Sequence, residues 1–173
     1  MSHQTAALPI AFVVLRILIV LNIVWGVAIL ALLGGSVFAH EWTLTALGIT
    51  PEHAIRGMLL GLQGIAALGL AVIVFNHMIL KRLMAMVETV RAGDPFVAAN
   101  AYRLHAIAWI MVGMQLLSIA IAAIARIIST PEFPIKLEAG FSVNSWVAIL
   151  LTFILARVFA EGTLMRADLE GTI

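Results

Sequence analysis

The chain of 173 residues contains no cysteine, one tyrosine and five prolines, and only 11% of its residues are Asp, Glu, Lys or Arg. Without cysteine there can be no disulfide, no thiol nucleophile and no cysteine-based metal site, and the redox compartment is left open. The scarcity of charge says more, because soluble domains carry about 25% charged residues. A net charge of +1 offers no basic surface, so no direct nucleic-acid partner is expected. What the chain does have is apolar residues, 63% of the total, gathered into long runs. A soluble fold of this size exposes too much surface to hide them. The lipid bilayer is the expected solvent.

A bilayer core of roughly 30 Å needs about 20 apolar residues at a rise near 1.5 Å each. Leu8 to Leu33 meets this, interrupted by Arg16 and Asn22. No Lys or Arg precedes the run, it is too long for a signal peptide, and Val37 to Ala39 makes a poor cleavage site, so a retained first helix is expected. Gly34 to Ile55 carries Gly34, Gly35, His40, Glu41, Pro51, Glu52 and His53 and reads as a loop, with Trp42 suited to the membrane interface. Further spans are expected over about 57–80, 106–126 and 143–162, with a second polar loop at Ser129 to Asn144 and a tail fraying after Asp168. Gly57, Gly61 and Gly64, with Ala71 beyond them, share a face on which helix backbones can approach closely.

The connector 81–105, KRLMAMVETVRAGDPFVAANAYRLH, interrupts the apolar pattern. Leu80, Leu83, Met84, Val87 and Val90 recur at helical spacing, so the second span should continue as an amphipathic helix. Ala92-Gly93 is a helix stop, after which Asp94 should cap a new helix with Pro95 in its first turn and Phe96 as an apolar anchor. The expected fold is thus an all-α integral membrane protein in one domain, four transmembrane helices in two hairpins with a helical connector. Four spans put both termini and the connector on one side. Lys81, Arg82, Arg91, Arg103 and Arg166 lie there with Arg16 and Arg157 near its boundary, against Arg56, Arg126 and Lys136 opposite, so that side is expected to be cytoplasmic.

GDPFVAANAYRLH resembles the bacterial signature G-(N/D)-P-F-x-x-E-N-x-x-R-L-R-x-I, and VFAEGTLMRADLEGTI resembles the pattern V-F-x-E-G-x-x-L-R-x-x with a closing acidic residue and Thr-Ile. Both belong to four-span membrane proteins catalogued as domain of unknown function 2975. Gly93, Pro95, Phe96, Asn100, Arg103 and Leu104 match the first motif, and Phe159, Glu161, Gly162 and Arg166 the second. Ala99 stands where that family has Glu, and His105 where it often has Arg. The resemblance implies a bacterial inner-membrane protein, often encoded beside a small helix-turn-helix regulator, and implies no reaction.

Charges within spans are costly and raise the question of function. Arg16, Arg157 and Glu161 approach one boundary, and Glu161 could pair with Arg16, with Arg157 one turn away, or with Arg103. An orienting ion pair is the expected role, with substrate or proton handling as the rival. Asn22, Gln115 and Thr152 fall near mid-membrane, where hydrogen bonds between helices account for them. His77 and His105 lie near the interface rather than facing each other across an interior, and His40 and His53 lack metal-ligand spacing, so no cofactor or metal is expected. No phosphate loop, nucleophile elbow or HExxH motif is present. The expectation is a non-enzymatic regulatory or interaction module. Its surface around Asp94, Pro95, Phe96, Asn100 and Arg103 would engage a cytoplasmic protein, with a homo-oligomer also conceivable. The alternative is a small oligomeric transporter or channel using Arg16, Asn22, Gln115, Arg157 and Glu161.

Overall fold

The structure, a computed structural model, describes residues 4–39, 57–131 and 134–170. Trp42 and His40, Glu41, Glu52 and His53 lie outside the described residues. Four helices account for nearly all that is described: α1 Gln4–Phe38, α2 Met58–Arg91, α3 Ala98–Ile128 and α4 Val143–Glu170. Each is long and apolar enough to cross a membrane, and no strand occurs among the described residues. The chain is therefore an all-helical protein with four candidate membrane spans.

The helices outrun the apolar runs that specify them. α1 does not stop at Gly34 but continues through Gly34 and Gly35 to Phe38, correcting the expected loop start. Glycine costs a helix about 1 kcal/mol, too little to end one flanked by apolar turns on both sides. Pro9 sits near the start of α1, where its ring removes only the bond to the Thr5 carbonyl. α2 carries on from the second apolar run without a break to Arg91. α4 extends to Glu170, two residues past the expected fraying point. Its start is capped by Ser142, whose hydroxyl accepts the Ser145 N–H at 3.3 Å.

The chain forms two compact units: Met1–Leu21, Phe75–Gly113 and Ser142–Ile173 in the first, and Asn22–Val74 with Met114–Phe141 in the second. In the first unit Leu80, Leu104, Ile107, Ala108, Ile149 and Ala156 are buried. Phe153 of α4 lies edge-on to His105 and Trp109 of α3, at 5.6 and 5.5 Å between centroids. Such aromatic pairs contribute about 0.5–1.5 kcal/mol beyond their burial. Gly113 lets the Phe75 ring approach so closely that a Cβ there would lie 2.7 Å from Cε2.

In the second unit, polar groups within the apolar segments are tied to partners. Asn22 donates to the Ile73 carbonyl at 3.1 Å, bonding α1 to α2. Gln63 donates to the Ser36 hydroxyl at 3.1 Å. Gln115 donates to the Gly140 carbonyl at 2.7 Å, and the Gly140 N–H donates to Ser118 at 3.0 Å. Gly140 has φ +124, a conformation that side chains rarely adopt. A Cβ on Gly61 would collide with the Ile128 side chain, one on Gly64 would touch Ile124 at 3.7 Å, and Gly57 faces open space. Of the three face-sharing glycines, only Gly61 sits where a side chain would block the approach.

Candidate functional site

The first unit gathers most of the residues that the sequence singles out, and its centre is the link between α2 and α3. α2 ends in a pair of reversed hydrogen bonds: the Gly93 N–H reaches the Val90 carbonyl at 3.1 Å, and the Asp94 N–H reaches the Thr89 carbonyl at 3.0 Å. This closure requires a left-handed residue just past the helix, and Gly93 supplies it with φ +85. α3 then begins at Ala98 rather than at Pro95. The expected cap at Asp94 is corrected accordingly, because its carboxylate meets the Arg166 guanidinium of α4 instead.

Asn100 locks the link. Among the described residues it is the one large side chain that is fully buried, with 0% exposure. Its Nδ2 donates to the Thr89 hydroxyl at 2.7 Å and to the Pro95 carbonyl at 2.9 Å, while its Oδ1 accepts from Arg103 at 2.7 Å. The Thr89 hydroxyl in turn donates to the Met86 carbonyl at 2.8 Å. The last turn of α2, the link and the first turn of α3 are therefore joined through one amide. Buried polar networks of this kind stabilise a single geometry when every member has a partner.

α4 covers the link. Phe96 stacks on Phe159 with centroids 5.4 Å apart, and Gly162 makes room, since a Cβ there would sit 3.0 Å from the Phe96 ring. Beside this contact a groove of about 610 Å³ runs between α3 and α4. Ala98, Ala101, Ala156 and Ala160 keep it wide, and His105 and Phe153 line it further along the two helices. Tyr102 and Leu164 stand at its edge, with Tyr102 78% exposed.

Arg16, Arg157 and Glu161, which the sequence places near one boundary, take separate sets of partners. Arg157 and Glu161 pair with each other at 2.6 Å, one turn apart, with side chains 79% and 49% exposed. Arg16 lies instead over the Phe12 ring, 4.9 Å from its centroid, and Arg91 lies at the same distance from that ring. The Arg103 fork is turned to Asn100. Exposed pairs one turn apart are worth about 0.3–0.5 kcal/mol. Glu161→Gln is therefore expected to leave thermal stability in detergent nearly unchanged. A fall in melting temperature of several degrees would show that the pair orders the helix.

The polar residues within the apolar spans differ in partner. Asn22 bonds to a neighbouring helix and Gln115 to the 134–142 segment, while Thr152 bonds to the Ala148 carbonyl of its own helix at 2.8 Å and lies 3.7 Å from Met111 Sδ. His105 meets Phe153 and Trp109. Among the described residues no group of three His, Cys, Asp or Glu could hold a metal ion. Thr89 and Phe12, central to two of these arrangements, carry no sequence signal: one is a single hydroxyl in an amphipathic helix, the other an apolar residue within an apolar run. No family model, curated protein or solved structure matches the chain.

Proposed function

We propose that the chain is a multi-pass protein of the bacterial inner membrane, belonging to the four-span family that its two motifs resemble. In this reading its helices pair as two hairpins, both termini are cytoplasmic, and the α2–α3 link and α3–α4 groove bind a cytoplasmic protein without catalysing a reaction. The observation that carries it is the groove itself, mostly apolar but with Arg157, His105 and Thr163 among its lining and an exposed tyrosine, beside a link held by Asn100. Preorganised surfaces lose less entropy on binding, and tyrosine supplies contact area at small conformational cost. The partner suggested by the resemblance is a small helix-turn-helix regulator, which would insert an apolar side chain between the alanines.

A photo-crosslinking residue in place of Tyr102, in the full chain expressed in its native host, is expected to capture that regulator. Ala160→Trp, at a half-buried position of the groove wall, should abolish the adduct while the protein remains in the membrane. Adducts confined to lipid or to a second copy of the chain would refute the reading.

A further inference from the structure

A different part of the first unit carries an independent inference. The Arg16 and Arg91 guanidinium carbons each lie 4.9 Å from the centre of the same Phe12 ring. Two like charges gathered on one aromatic platform repel each other, and a cation–π contact at an exposed site returns only about 0.5–1 kcal/mol per cation. Among the described residues neither arginine is paired with a carboxylate. Asp94 is engaged by Arg166, Glu161 by Arg157, and the exposed Glu88, one turn before Arg91, makes no ion pair with it. Among the described residues no carboxylate balances the two charges.

The surroundings say what kind of anion. Val13 and Val20 are exposed on α1 about one turn before and one turn after Arg16, on the helix face that carries it. Arg16 stands eight residues past Leu8, about 12 Å along the helix at 1.5 Å per residue. A free phosphate has no use for an apolar strip, whereas a phospholipid does. Arginine suits phosphate because its planar fork can donate two parallel hydrogen bonds. An amine-bearing headgroup would bring a third cation to two already there.

We propose that Arg16 and Arg91 jointly hold the phosphate of an anionic, amine-free phospholipid, with Phe12 as the platform and the exposed aliphatic strip of α1 as the acyl-chain contact. The site shares no residue with the lining of the α3–α4 groove and does not depend on its having a protein partner.

The test is native mass spectrometry of the full chain in mild detergent, titrated separately with phosphatidylglycerol, phosphatidylethanolamine and inorganic phosphate. Phosphatidylglycerol should bind at least about tenfold more tightly than phosphatidylethanolamine, the scale of one charge-assisted hydrogen bond. Arg16→Gln and Arg91→Gln should each remove that preference. Arg16→Lys and Arg91→Lys, which keep the charge but lose the fork, should retain part of it and serve where a glutamine variant fails to fold. Equal binding of the two lipids by the unaltered protein, or an unchanged preference in all four variants, would overturn the proposal. Displacement of phosphatidylglycerol by millimolar inorganic phosphate would overturn the lipid as ligand in favour of a free anion.

Discussion

Asn100→Leu is expected to be among the most damaging single substitutions in the chain, lowering stability by about 3–5 kcal/mol. Leucine is close in size, so little of the loss comes from a cavity. The cost comes from the groups left behind: the Pro95 carbonyl loses the Asn100 amide, Arg103 loses its acceptor, and Thr89 keeps only its bond to Met86. A buried polar group stripped of its partner costs about 1–3 kcal/mol, and the part-buried Pro95, Arg103 and Thr89 groups fall toward the lower end of that range. Thr89→Val removes one member only and should cost about 1–2 kcal/mol. Equilibrium unfolding in mild detergent measures both. A loss below about 1 kcal/mol for Asn100→Leu would mean that the link is held chiefly by packing.

The second large effect is expected at Gly113. Its helix passes so close to Phe75 that an added methyl would lie 2.7 Å from Cε2 and 3.5 Å from Cδ2. A ring packed between helices cannot move aside as the end of an aliphatic chain can, and overpacking of this kind costs about 1–3 kcal/mol. Gly113→Ala should fall in that range. Combining it with Phe75→Leu should recover more than half of the loss, because the two residues interact directly and their effects cannot add. Strictly additive losses in the double variant would show that glycine is needed at 113 for another reason.

These two positions also mark where sequence reasoning ends. Apolar runs longer than a bilayer is thick leave little freedom, and all four helices were legible from them. So was the stop at Ala92-Gly93, because glycine there has a local stereochemical reason. Helix ends that depend on distant partners were not. Asp94 looks like a helix cap from its neighbours, but Arg166, 72 residues later, takes its carboxylate, and α3 begins three residues beyond Pro95. Gly34 and Gly35 look like a break, yet glycine is common in membrane helices and α1 runs through both.

The charges show the same boundary. Three partners for Glu161 were compatible with the sequence, and only geometry selects Arg157. Asn100 stood out through its motif, but its partner Thr89 did not, since a hydrogen bond across eleven residues and a turn leaves no periodic trace. Phe12 was hidden by its own run of apolar neighbours.

The spacing of the contacts around the link also bears on the order in which the molecule is made. Thr89, Pro95, Asn100 and Arg103 lie within fifteen residues, so their hydrogen bonds close short loops. Short loops close fast and at small entropic cost. The Arg166–Asp94 contact must wait until α4 has left the ribosome. During synthesis the link between α2 and α3 can therefore reach its final geometry first, and the last helix arrives at a surface already shaped to receive Phe159 and Gly162.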